Sequence, residues 1–280
     1  MKGKSRLRFF LKLAIIVIPL VFIIFIFGEA NADTTIGVKY WYAQWSCKDY
    51  FFATPQPSTV FIGYSYTNKS PAFSSYGISL AHEFLPKLSM SAFFVLGSSH
   101  LKFRFFDSGG NQAPEYDFNV EMRRSDLDLS LQYHILPYLA LFVGYKYVEF
   151  KYLYSDGSDE YHGFDGAGIG VSGGYPIEWG LVAYGSLGII PKYNGEFLGV
   201  DAKYGYNYEA GLLYSIEKIH LAAHLAYRAQ VVKYKRNFAD DKFSGLVLGV
   251  GYRFGNLLTR ISKGCLNLLH RMTNIQGFES

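Results

Sequence analysis

The chain has 280 residues, 50% of them hydrophobic and 18% aromatic, with 24 Tyr, 24 Phe and 29 Gly. Its formal net charge is +4, and the first segment alone carries that excess: Lys2, Lys4, Arg6, Arg8 and Lys12 against Glu29. The remainder is near neutral and shows no basic stripe, which argues against a nucleic-acid partner, and two cysteines, Cys47 and Cys265, are too few for a disulfide scaffold.

Residues 1–32 read as a secretory signal. A positive stretch precedes the apolar run Leu13–Phe27, and Ala30-Asn31-Ala32 is a small-x-small cleavage site. The expected mature chain begins at Asp33. Beyond the signal, no apolar run reaches the roughly 20 residues of a membrane helix.

A different pattern then opens. In a strand, side chains alternate between two faces. Ile36, Val38, Tyr40 and Tyr42 share one face, and Gly37, Lys39, Trp41 and Ala43 the other. Further along, Leu127, Leu129, Leu131 and Tyr133 oppose Arg124, Asp126, Asp128 and Gln132. Ala167, Ile169 and Val171 oppose Gly166, Gly168, Gly170 and Gly174, glycines expected to leave room for long Arg or Tyr side chains from across the fold. Tyr204, Tyr206, Tyr208, Leu212 and Tyr214 oppose Asn207 and Glu209; Leu221, Leu225 and Tyr227 oppose His220, His224 and Arg228; Leu246, Leu248, Val250 and Tyr252 oppose Gly249 and Arg253.

Two features separate this from a soluble β-sandwich. Tyrosines gather at the ends of the apolar rows, where hydrocarbon meets headgroups. Short turns also recur, at Leu85-Pro86-Lys87, Leu136-Pro137-Tyr138, Pro176–Trp179 and Glu217-Lys218-Ile219, with longer loops expected between the pairs they join. The pattern predicts strands at 34–46, 74–84, 88–105, 118–134, 139–154, 164–176, 180–193, 203–216, 220–235 and 242–254. The fold class is therefore all-β: an antiparallel up-and-down transmembrane β-barrel of ten strands over 33–254. Residues 59–67 (TVFIGYSYT) are expected to form a β-arm in the first loop; two crossings there would instead make twelve strands. Residues 255–280 place Leu257, Leu258, Ile261, Cys265, Leu268, Leu269 and Met272 at helical spacing, a short amphipathic helix. It is expected on the periplasmic side, capping the lower mouth, lying on a membrane surface or contacting a partner. Cys47 and Cys265 then fall on opposite sides of the membrane and should not pair.

Over its mature length the chain resembles Gram-negative outer-membrane β-barrel proteins. Gly249, Tyr252 and Phe254 resemble the last-strand signal presented to the barrel assembly machinery, although Val247 stands where a polar residue is usual and Phe254 is not terminal. The resemblance implies a bacterial outer-membrane location, with outer-membrane lipid and that machinery as partners.

The lumen should then receive Lys39, Glu83, Arg124, Asp126, Asp128, Lys146, Glu209, His224, Arg228 and Arg253. Opposite charges facing one another in a low-dielectric wall should pair. Either they form a network that narrows or blocks the lumen, or they line a narrow porin-like pore for small solutes. Catalysis is not expected. Some ten-stranded relatives of this class are proteases using Asp and His at the outer rim. Here Asp156, Asp159, Glu160, His162 and Asp165 would be the candidates for a surface hydrolase, without the matching Asp-x-His pair. A secreted soluble β-barrel holding an apolar ligand is the other alternative. No cofactor or metal is expected; His220 and His224 would lie about 13 Å apart on a strand.

Overall fold

The computed structural model describes residues 33–47, 51–53, 61–63, 72–103, 118–197, 200–235 and 240–255. The expected signal (1–32) and C-terminal tail (all but Gly255), with Cys265, lie outside the described residues. The chain forms β1 (Asp33–Cys47), β2 (Phe51–Ala53), β3 (Phe61–Gly63), β4 (Ala72–Leu85), β5 (Leu88–Phe103), β6 (Phe118–Leu136) and β7 (Leu139–Tyr154). It continues through β8 (Asp159–Pro176), β9 (Leu181–Ile190), β10 (Asn194–Phe197), β11 (Val200–Ile216), β12 (Leu221–Tyr234) and β13 (Asp241–Gly255).

Ten wall positions close into an antiparallel barrel. Leaving β2 and β3 aside, each wall position pairs with the next one along the chain, and β1 pairs with β13 from Asp33↔Gly255 to Cys47↔Asp241 without a register shift. β9 and β10 occupy one position, since both lie between β8 and β11. The break between them starts at Pro191, which has no N–H to give to a ladder. β2 and β3 pair only with each other, so part of the 59–67 segment is a ribbon within the first loop and the twelve-strand alternative does not hold.

One end of the barrel is finished by tight turns. Leu85-Pro86-Lys87-Leu88 and Leu136-Pro137-Tyr138-Leu139 turn β4 into β5 and β6 into β7, each beside a register shift. Trp179 and Gly180 adopt φ 60° and 80° between β8 and β9. A 3₁₀ turn, Glu217–Ile219, ends at His220 with φ 55°, so His220 belongs to this turn and not to the lumen row. Both Asp33 and Gly255 lie at this end, which by the asymmetry of such barrels is periplasmic. At the far end not every connection is long. β7 turns into β8 through residues 155–158, where the Asp156 carboxylate accepts from the Ser158 N–H at 2.8 Å. Most of the acidic stretch expected as a loop is therefore strand, because β7 and β8 stay paired as far as Leu153↔Asp159.

The alternation has inverted the usual burial. Ile36, Val38, Ile78, Leu96, Leu141, Val143, Ile169, Leu187, Leu225, Leu248 and Val250 are exposed on the outer wall. Tyr133, Tyr138, Tyr175, Trp179, Tyr214 and Tyr252 ring this band at the turn end, and Tyr42, Tyr76 and Tyr227 mark its other edge. An aliphatic belt between aromatic girdles is the surface of a barrel that spans a bilayer. The closed ladder satisfies the backbone groups that lipid cannot.

The densest packing lies inside the outer half. Trp41, Trp45, Phe73, Phe150, Phe164, Tyr193, Tyr234 and Phe243 are all buried there with Val120, Met122, Val148 and Val247. Phe243 packs against Phe73, Phe150 and Trp45 at centroid distances of 5.5, 5.7 and 5.9 Å. Toward its outer end, Trp45 Nε1 donates to Asp241 at 3.0 Å, and Tyr234 donates to the same carboxylate at 2.5 Å. The lumen is thus not lined by charge alone.

Candidate functional site

The site begins on β6. Arg124, Asp126 and Asp128 alternate with Ser125 and Leu127, so all three point inward. Arg124 reaches along its own strand: Nε and Nη2 donate to the two Asp126 oxygens at 2.7 and 2.6 Å. The same Nη2 contacts Gln230 Oε1 from β12 across the lumen. The guanidinium lies 3.8 Å from the Phe243 ring centroid, with Trp41 and Phe150 at 5.4 and 5.5 Å. Aromatic faces thus replace part of its water shell.

Asp128, two residues nearer the turns, is held from both sides. Lys146 Nζ on β7 donates to Oδ1 at 2.5 Å, and Arg228 Nη2 on β12 binds Oδ2. Lys146 also stands 3.6 Å from Asp126. Arg228 then bridges to Glu209 on β11 at 3.7 Å. Glu209 accepts from Tyr184 at 2.7 Å and faces His224 Nε2 at 3.4 Å, and the Tyr184 hydroxyl also touches that nitrogen. Carboxylates at this depth would cost several kcal/mol unpaired; here each meets at least two donors. Three buried polar atoms of the cluster have no partner among the described residues: Arg124 Nη1, Gln230 Nε2 and His224 Nδ1.

Lys39 joins the cluster spatially, without an ion pair among the described residues. Its Nζ lies 5.0 Å from the Phe93 ring centroid, and Arg228 lies 5.2 Å from the same ring. Beneath this layer a cavity of about 730 Å³ runs to the turn-side mouth. Lys39, Phe93, Asp128, Ser130, Lys146, Tyr184, Asn207, Glu209 and Arg228 are among its lining residues.

Glu83 and Arg253 stand apart from the cluster. Glu83 is exposed at the periplasmic end of β4, and Arg253 bridges to Asp33 at the β1–β13 end of the same rim. Both residues lie where the strands leave the membrane, so water rather than a partner across the lumen solvates them. Of the last-strand residues, Gly249 pairs with Lys39 on β1 and His224 on β12, while Tyr252 and Phe254 contact edge to face at 4.6 Å. The glycine row of β8 makes room differently from the expectation. A side chain at Gly170 would collide with the Phe142 ring, and one at Gly166 with Ile190 and Tyr193. A tyrosine does enter at Gly166, but it and the apolar groups come from segments adjacent to β8 and not from across the barrel, and no arginine fills the row.

The outer acidic residues do not converge. Asp159 and Asp165 lie on one face of β8 and His162 on the other. Asp159 is paired with Lys151 at 3.1 Å, and Glu160 accepts from Tyr154 at 2.9 Å. Burial, with Glu160 beside it, pushes the Tyr154 hydroxyl up to about 12. Burial lowers His162, an effect partly offset by Glu160 at 3.0 Å.

Sequence reading missed Tyr184, Phe93 and Phe243, and it put Gln230 on the polar row of its strand without assigning it to the network. Parity held a signal: Tyr184 shares its register with Ser186 and Gly188, opposite the aliphatic Leu181, Leu187 and Ile189.

No protein-family model matches the chain, and no curated protein matches it. Solved structures do. The outer membrane protease OmpT of Escherichia coli aligns over 80% of this chain and 97% of its own at 14% identity, with a TM-score of 0.52. Ail, the attachment invasion locus protein of Yersinia pestis, aligns over 80% and 99% at 13% identity, with a TM-score of 0.38. At such identities the shared property is the fold. The OmpT alignment, together with the lipid-facing belt and girdles, gives the chain the fold of an outer-membrane-type transmembrane β-barrel.

Proposed function

We propose that this outer-membrane barrel is a sealed, non-conducting structural or surface protein, neither an open passage nor a catalyst. The observation that carries the reading is the lumen's double obstruction: the aromatic cluster around Phe243 stacked on the layer from Arg124 to Glu209. A solute crossing it would have to displace buried rings and part buried ion pairs. The non-catalytic part of the reading is supported by the carboxylates. Asp126 and Asp128 are each held by two cations, and the outer acids point to opposite faces of β8. β1, β5, β6, β7 and β8 continue beyond the outer girdle on the far side from the tight turns, which supports a surface role. β13 closes the barrel against β1, which supports Gly249, Tyr252 and Phe254 as the segment offered to the barrel assembly machinery.

The test is planar-bilayer conductance of the refolded mature chain, with and without residues 256–280. Neither form should give steady current, while a Phe150→Ala/Phe243→Ala variant should admit small ions. Steady current from the unmutated chain would replace this reading with a narrow solute pore, of which the periplasmic cavity would be the vestibule. For catalysis, any hydrolytic activity lost on joint replacement of Asp159, His162 and Asp165 would sink the non-enzymatic reading.

A further inference from the structure

We propose that the periplasmic cavity is a binding site for a small hydroxylated monocarboxylate, a sugar acid, held by Lys39. The first observation is a charge count. The layer at the cavity roof gathers four cations, Lys39, Arg124, Lys146 and Arg228, against three carboxylates, Asp126, Asp128 and Glu209. Arg124, Lys146 and Arg228 all make ion pairs; among the described residues Lys39 makes none, and its ammonium lies over the Phe93 ring. One positive charge is therefore left over at the end of a protein-walled chamber, where a counter-anion is favourable.

The second observation is how the lysine is delivered. Its neighbours across both adjacent strands are glycines, Gly77 on β4 and Gly249 on β13. Neither supplies a side chain that would screen the Lys39 stem, so the ammonium reaches the cavity.

The third observation is the wall. The cavity's volume, about 730 Å³, suits a small ligand. Ser130, Ser172, Ser186 and Asn207 present hydroxyl and amide groups, while Phe93 and Phe142 offer apolar ring faces. Hydroxyls of a sugar find partners on the first set, and its C–H face rests on the second. A single carboxylate matches the single excess charge. A dianion would meet Asp128 and Glu209, which line the same space.

This site does not depend on whether the barrel conducts. The test uses the full mature chain refolded in detergent micelles, with D-glucuronate as probe and D-glucose as the neutral control, read by isothermal titration. Heat-modifiable gel mobility verifies that each variant is folded. Saturable glucuronate binding is expected, stronger than that of glucose. It should fall by roughly tenfold or more in Lys39→Met, the loss of one charge-assisted contact, and stay within about threefold in Lys39→Arg. If Lys39→Met does not fold, Lys39→Gln makes the same removal of charge. Undiminished binding without the lysine charge overturns the proposal, as does a folded barrel that binds no glucuronate. Binding that appears only after removal of residues 256–280 overturns it too, since the chain's own tail would then be the occupant.

Discussion

Arg124 shows how much one residue can hold in this lumen. It ties two strands, neutralises Asp126 and lies against three aromatic rings. Replacing it with Met leaves Asp126 buried with only Lys146 at 3.6 Å. The loss should be about 3–5 kcal/mol, and an added Asp126→Leu change should recover much of it, because an apolar pair avoids the stranded charge. Urea unfolding of the refolded barrel measures both. His162 makes a second prediction, this one in pH. Its folded form resists protonation because it is buried, while the unfolded chain takes up the proton near 6.5. The unfolded state therefore binds more protons below that pH, so the His162 contribution is steady above about 6.5 and stability falls as pH drops through it. His162→Phe should flatten that part of the stability profile; an unchanged slope would show that other groups set it.

At the scale of the strand, closure rests on the β1–β13 seam. Fifteen residues of β1 meet β13 in unbroken register. Gly245 sits at a close approach of the two backbones: a Cβ there would collide with the Tyr42 carbonyl oxygen and the Ala43 Cα. The obstacle is backbone, so no rotamer change relieves it. Gly245→Val should cost about 1–3 kcal/mol or more and reduce the heat-modifiable fraction on gels. Gly170→Val is a useful contrast, since there a side chain, Phe142, is one of the obstacles along with the Leu187 carbonyl. Adding Phe142→Ala should restore part of the loss at Gly170, whereas no side-chain truncation should rescue Gly245. The turns were the most legible elements, because Leu-Pro-x-Leu and Glu-Lys-Ile each interrupt an alternating row at one end of the barrel. Strand ends at the other face were harder to read. Asp159, Glu160 and His162 are polar and look like loop, yet cross-strand pairing with β7 extends them beyond the membrane.

For the whole molecule, the barrel carries two different interiors. The outer half is packed as a soluble protein's core would be, and the inner half holds a cavity beneath a layer of ion pairs. Lipid outside and aromatic rings inside leave water little access to the layer between them. This arrangement predicts that the outer half resists opening more than the inner half. Hydrogen exchange should therefore be slower at Val148 and Phe150 than at Ala140 and Phe142 on the same strand. Uniform exchange along β7 would mean that the rings do not form a cohesive plug.

What the sequence determined by itself is the membrane-spanning wall. A two-residue period with aliphatic centres and tyrosine ends is a local property, repeated strand after strand, and it specifies a barrel without reference to any distant contact. The inward charges were legible on the same ground, since parity alone assigns a residue to a face. The tertiary structure decided what those faces meet. Register across ten strands brings Arg124 to Gln230 and Asp128 to Arg228, partners about a hundred residues apart. It also leaves Glu83 and Arg253 at the rim. The plug was hidden for the same reason. Trp41, Phe150 and Phe243 are single aromatic residues on separate strands, and only closure of the barrel places their rings in one volume.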